Sequence, residues 1–183
     1  MTDRTPMLPY LLTDERLAEY TIDRSDPPII GTFFGLPVVY VWNTNEGFSF
    51  VTCSDLEKLG VGLADIPRIA ADDLAEHARD NLQFEKRGSV FCAFMGGNFE
   101  ASMIFVNRLW DEFLREMLPN GCIAAIPAND MLAFCEPESV DGVAELKATV
   151  QRTFNGGEDL LTEFLFQRIN GEWHPYVDNG RKI

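Results

Sequence analysis

Hydrophobic positions change period several times along the chain, and each change marks an expected element boundary. Residues 1–28 are polar apart from one short amphipathic stretch, Leu11 to Tyr20, and read as a peripheral N-terminal arm. From Pro28 the runs Ile29–Phe34, Pro37–Trp42 and Phe48–Cys53 are β-branched and aromatic, separated by Gly35-Leu36 and by Asn43 to Gly47, which predicts a meander of three strands. The middle run is almost wholly apolar, as in a strand covered on both faces, so helices are expected against this sheet. Ser54 is expected to cap a helical turn over Asp55–Leu59 that Gly60 ends.

Beyond this point the period lengthens. Ala71, Leu74, Ala75, Ala78 and Leu82 recur at spacings of three and four, predicting a long helix over about Ile69 to Arg87 stopped by Gly88. Asp72, Asp73 and Glu76 near its start and Lys86 and Arg87 near its end would complement the helix dipole. Ser89–Met95 and Phe99–Phe105 read as strands joined by the turn Gly96-Gly97-Asn98. A helix over Arg108–Leu118 follows, with Asn107 as N-cap, and Pro119-Asn120-Gly121 ends it. Cys122–Pro127 and Met131–Cys135 form a strand pair around the kink Pro127-Ala128-Asn129-Asp130, and a third helix runs over Val140–Phe154. The chain closes with Leu161–Ile169, the turn Asn170-Gly171 and Glu172–Val177, a strong hairpin signal, and with a frayed tail over 178–183. Hairpins outnumber crossovers in this order, so the expected fold class is α+β, a mixed, largely antiparallel β-sheet with about three packed helices, in a single domain over 29–177.

A length of 183 residues suits one sizeable domain, and 46% hydrophobic with 24% charged residues excludes disordered and fibrous classes. Fifteen Lys and Arg against 29 Asp and Glu give a net charge of −14, which repels phosphate backbones and anionic lipid and argues against direct nucleic-acid binding. The greasy stretch Pro28–Trp42 is broken by Gly31, Thr32, Gly35 and Pro37, too short and interrupted for a membrane span. The polar start Met1–Pro6 leads into no signal-peptide core, so the mature protein is expected to begin there and to be cytoplasmic. Cys53, Cys92, Cys122 and Cys135 are widely spaced among apolar neighbours, as buried free thiols in a reducing compartment would be. With no Cys-x-x-Cys pair and only His77 and His174, neither a metal site nor a cofactor is expected.

Gly96-Gly97 could present N–H groups to an anion, although a hairpin turn needing unusual φ is the plainer account of the pair. No Gly-x-Ser-x-Gly elbow is present, and the acidic pairs Asp72/Asp73, Asp111/Glu112 and Glu158/Asp159 read as solvated surface. Two segments stand apart. In Asn98–Met103, strand alternation would put Glu100 and Ser102 on one face and Phe99, Ala101 and Met103 on the other. In Ile126–Leu132, Asn129 and Asp130 occupy a kink between apolar strands, where their side chains could serve the turn itself. The candidate ligand-binding set is Glu100, Ser102, Asn129 and Asp130 converging on one concave surface, with Asn81 reaching it from the long helix.

These segments carry a likeness. The Leu74-Ala75 to Asn81-Leu82 helix, Gly97-Asn98-Phe99-Glu100-Ala101-Ser102, the Leu109-Trp110 helix and Ala125-Ile126-Pro127-Ala128-Asn129-Asp130-Met131-Leu132 together resemble the YtpQ-like family of uncharacterised bacterial proteins, a domain-of-unknown-function family. The resemblance spans about residues 30 to 155 and implies a mixed α/β fold without an assigned activity. Family members often carry a basic residue just before the aspartate of the Pro-x-x-Asp turn, where this chain has Asn129, so a cation's role there does not transfer.

Three functional readings follow. The favoured one is a non-catalytic binding or interaction module for a protein partner or small ligand, with a homodimer compatible with it. The second is a hydrolase-like enzyme using Glu100 or Asp130 as a general acid or base. The third is an acidic immunity or inhibitor protein that covers a basic toxin or nuclease.

Overall fold

Met7–Leu11 forms strand β1, and all five of its residues are buried. In this computed structural model residues 5–44 and 47–178 are described. The N-terminal segment is therefore no peripheral arm. It pairs antiparallel with Val38–Trp42, because the apolar strand there has a second edge that must be hydrogen-bonded once it is buried. After β1 come α1 (Asp14–Glu19), capped by Thr13, then β2 (Ile30–Phe33), the long β3 (Leu36–Thr44) and β4 (Gly47–Phe50). β3 is the hub. β1 lies along one edge, while β2 and β4 share the other, so the expected meander is present and gains a fourth strand. Phe34 and Gly35, with φ of 47° and 90°, make the tight turn between β2 and β3.

Helix α2 (Cys53–Leu59) is capped by Thr52, two residues earlier than the expected Ser54. Asp55 decides this, since its carboxylate accepts the Thr52 N–H at 3.1 Å and the Trp42 indole N–H at 3.1 Å. Ser54 is used elsewhere, giving its N–H and hydroxyl to Asp26 at 3.0 and 2.6 Å. Helix α3 (Ile66–Ala78) buries Ile66, Ala70, Leu74 and Ala78 and packs on β1, with the Met7 N–H donating to Asp73 at 2.8 Å.

The expected helix is thus cut short at Ala78. Gln83–Arg87 is instead β5, turning at Gly88 (φ 59°) into β6 (Val90–Phe94). Leu82 extends the helical spacing, yet Gln83–Arg87 has only Phe84 to bury, which is the alternation of an edge strand. Lys86 and Arg87 serve no helix end. They lie over the rings of Phe91 and Phe94 at 5.5 and 4.8 Å.

The expected strand over Phe99–Phe105 is likewise absent, replaced by a 3₁₀ turn over Ala101–Phe105. The expected helix over Arg108–Leu118 survives as a short segment with a π-helical turn at Leu109–Phe113. Then follow β7 (Cys122–Ala125), β8 (Leu132–Cys135), α4 (Val140–Phe154), β9 (Leu165–Ile169) and β10 (Glu172–Pro175). Asn170 and Gly171, with φ of 51° and 83°, form the last hairpin turn as its sequence predicts. In the expected tail, Asp178 accepts from Lys147 at 2.7 Å, and residues 179–183 lie outside the described residues.

Strands β5–β10 form a six-stranded antiparallel sheet in the order β10-β9-β7-β8-β6-β5. With the four-stranded sheet this is an α+β fold. The chain divides into two compact units. The first holds residues up to Leu82 with Ser102–Val106, and the second Gln83–Ala101 with the chain from Asn107 onward. Each sheet anchors its own core, which is why a single apolar count over the whole length could not separate them.

Helix α4 covers one face of the six-stranded sheet through Val143, Leu146 and Val150, packed on Val90, Ile123, Ala133, Cys135 and Leu165. Gly142 allows this approach, since a Cβ there would stand 2.8 Å from the Cys135 Cβ and 2.7 Å from the Ser139 Oγ that caps the helix. Gly142→Ala is expected to lose about 1–3 kcal/mol of stability by overpacking, read as a lower urea midpoint with an unchanged slope. A second expectation concerns acid. At Asp55 burial raises the pKa, but the hydrogen bonds from Trp42, Thr52 and Lys58 outweigh it and hold the carboxyl below its ordinary 3.8. A depressed folded pKa means that the contribution is complete above 3.8 and is lost as pH falls through the folded value. The urea midpoints of the wild type and Asp55→Asn should therefore differ at neutral pH and converge on acidification. A gap that widened in acid would contradict this assignment.

Candidate functional site

Glu100 is 2% exposed, and its carboxylate has three donors. The N–H groups of Met95, Gly97 and Phe99 reach it at 2.7, 2.8 and 3.2 Å. Gly96 and Gly97, at φ of 103° and 92°, take the conformation that turns these donors inward. The hairpin expected at Gly96-Gly97 is absent, since no strand follows it, and the loop's N–H groups go to the protein's own Glu100. In the same unit the Ala101 N–H donates to the Asn129 carbonyl at 3.1 Å, which sets the Glu100 segment beside the Pro127–Asp130 kink. Asn129 is 5% exposed, and its Oδ1 has no hydrogen-bond partner. Asp130, next to it, is exposed.

The other two expected members belong to the first unit. Ser102 is fully buried with its hydroxyl oxygen unpartnered, and it sits in the 3₁₀ turn, so strand alternation does not relate it to Glu100. Asn81 lies past the end of α3, is exposed and bonds the His77 carbonyl at 3.4 Å. Of the expected set, Glu100, Asn129 and Asp130 share one unit, with the Glu100 and Asn129 segments joined by a hydrogen bond.

A more unusual centre lies on the other face of the six-stranded sheet. Register and alternation place Phe84, Phe91, Phe134, Phe166, Arg168 and Trp173 on that face. The Asn107–Leu114 segment covers part of it. Trp110, 5% exposed, meets the Phe134 ring at 5.3 Å and the Trp173 ring at 4.9 Å, both edge to face. Phe91 stacks on Phe134 at 5.6 Å.

Arg168 is the buried charge in this aromatic layer, whereas Lys86, over the Phe91 ring, is exposed. Its side chain is only 4% exposed, whereas that of its partner Asp111 is 49% exposed. Nε and Nη2 donate to the two Asp111 oxygens at 3.0 and 2.7 Å, a side-on bidentate pair, and Nη2 also donates to Asn107 Oδ1 at 3.1 Å. Its guanidinium lies 5.4 Å from the centre of the Trp173 ring. The remaining nitrogen, Nη1, is buried without a partner. Asn107 is therefore a ligand of Arg168 instead of the expected helix cap, and Asp111 is no mere solvated acid.

The π-helical turn holds these groups together. Its defining bond, Leu114 N–H to the Leu109 carbonyl at 2.8 Å, turns Trp110 and Asp111 toward the sheet. Such turns inside helices recur at functional sites. Nothing in Leu-Phe-Gln-Arg-Ile announces this centre, since Arg168 and its partners are 57 and 61 positions apart. One signal was available, for Arg168 shares the strand face of Phe166.

Two of the thiols are held protonated by burial. Burial pushes Cys122 up to about 12 despite the nearby Arg168, and burial does the same to Cys135. All four cysteines are free, and Cys53, at the start of α2, is exposed rather than buried. Cys53, Leu56, Glu57 and Gly60–Leu63 line an open hollow of about 410 Å³ in the first unit. Among the described residues no three His, Cys, Asp or Glu side chains are grouped to hold a metal, and no helix is long and apolar enough to cross a membrane.

No family model, curated protein or solved structure matches the chain.

A test of the Glu100 geometry follows. Glu100→Gln places an amide donor where Phe99 N–H already donates, so a loss of about 1–3 kcal/mol in urea denaturation is expected. Hydrogen exchange at Gly97 and Phe99 should speed up with it. An unchanged exchange rate at both would remove the carboxylate from its role in shaping the loop.

Proposed function

We propose that this protein is a non-catalytic binding module and that the Arg168 centre is its recognition site, for a small ligand or for a side chain of a protein partner. The observation that carries the reading is the buried guanidinium with Nη1 unpartnered among indole and phenyl rings. A buried charge with unspent hydrogen-bonding capacity costs stability, and a polar group in an apolar wall fixes a ligand's orientation. Evolved sites accept such a cost where recognition needs it.

The acid–base alternative has less support. Both Glu100 oxygens are engaged by backbone donors, and Asp130 stands in solvent. The inhibitor reading draws on the charge of −14, which would steer a basic partner and make association salt-sensitive. Membership of the YtpQ-like family belongs to the proposal as well, supported by the hydrogen bond that joins two of its motif segments at Ala101 and Asn129. Four free thiols support a reducing, cytoplasmic setting.

Paired native and denaturing mass spectrometry of protein purified gently from its host tests the reading. The wild type should carry an added mass that denaturation releases, and Arg168→Lys, which keeps the charge but loses the planar fork, should carry none. A bare wild-type chain, or an equal adduct on both proteins, counts against a recognition site at Arg168.

A further inference from the structure

We infer that Asp111 is a built-in stand-in for the ligand, and that the Arg168 centre takes a small organic carboxylate which displaces it. The inference rests on the binding-module reading and adds the chemical class. Three features of the centre point the same way. Asp111 holds the two-toothed edge of the guanidinium through both of its oxygens, so the position is already shaped for a planar carboxylate. The two partners differ in burial, with the Arg168 side chain 4% exposed and that of Asp111 49% exposed. The receptor is thus sunk in the sheet while its occupant sits at the surface, where water can replace the bonds it gives up. Finally, Asp111 leaves Nη1 without a partner, so the resident carboxylate does not satisfy the cation completely.

The surroundings favour a carboxylate with an apolar body over a compact oxyanion. Trp173, half-buried, covers the guanidinium, and Trp110 packs edge to face on it, so the atoms beside the charge are aromatic. Among the described residues Asn107 supplies the one further polar side chain bonded to Arg168, and a phosphate would find no second cation among the residues bonded to it. Release of Asp111 would also free one of the side chains that fasten the π-helical turn to the sheet, so occupancy should be felt along Asn107–Leu114. The turn Asn170-Gly171 lies against the same carboxylate, with a Cβ on Gly171 standing 4.0 Å from Asp111 Oδ2, and should report the exchange too.

The probes are sodium benzoate, sodium acetate and inorganic phosphate at constant ionic strength, added to the full chain. Binding is read by tryptophan fluorescence and by amide shifts of residues 107–114 and 170–173. Benzoate should bind more tightly than acetate, and phosphate should not bind. Asp111→Asn keeps the shape and the acceptor but removes the competing charge, and should tighten benzoate binding about tenfold or more, as expected when an intramolecular competitor is weakened. Asp111→Ala should do the same provided that its near-ultraviolet circular dichroism matches the wild type, and Arg168→Lys should abolish binding. Benzoate binding that is unaltered by Asp111→Asn would overturn the displacement, and phosphate binding in preference to benzoate would overturn the carboxylate class. If none of the probes binds while the native protein carries an Arg168-dependent adduct of another class, the binding-module reading stands and this inference fails.

Discussion

Strand β9 is hydrogen-bonded on both edges, to β7 and to β10, and this double pairing determines what Arg168 must do. A residue at its place cannot turn to an open strand edge. Its side chain emerges on the face shared with Phe134 and Phe166, between Cys122 on one neighbour and Trp173 on the other. A guanidinium held there needs acceptors, and the segment covering that face supplies them from Asn107 and Asp111. In that segment the π-helical turn presents Asp111 to the guanidinium and packs Trp110 between Phe134 and Trp173.

The opposite face of the same sheet works differently. Helix α4 lies on it through apolar contacts and the close approach at Gly142, with no buried charge among the described residues of that cluster. A sheet covered by a well-packed helix on one face and by a short, polar-tethered segment on the other has an inherent asymmetry. On the Arg168 face the cover is fastened by the hydrogen bonds of Arg168 to Asp111 and Asn107 together with the packing of Trp110 on Phe134 and Trp173. The Glu100 loop shows the stable counterpart. There a carboxylate is sunk among backbone donors, and the anion site is closed by covalent connection to its own occupant.

Regular elements were largely legible where local chemistry and period agreed. The span of α4, Val140–Phe154, and the Asn170-Gly171 hairpin turn could be read directly, because an amphipathic repeat and a dipeptide suited to positive φ each specify their own geometry. Where one residue extended a pattern by chance the reading failed. Leu82 prolonged the helical spacing past Ala78, and pairing with β6 claimed the residues beyond it for a strand. The run Phe99–Phe105 looked like a strand through its apolar residues, yet it folds as a 3₁₀ turn that no sheet edge receives. Of the expected site, Glu100 and Asn129 are buried polar groups, and alternation along the chain does not say what satisfies them.

By itself the sequence determined the α+β class, the acidic surface charge, the four separate thiols and the turns that need glycine or asparagine. Each depends on residues near one another along the chain or on composition alone. Tertiary structure decided that Met7–Leu11 is core, that the chain forms two units, and that Arg168, Asn107, Asp111 and Trp173 form one centre. These depend on strand register and on which edge each strand finds. Both are set by pairing between residues tens of positions apart, and a buried charge finds its acceptors only after that pairing is complete.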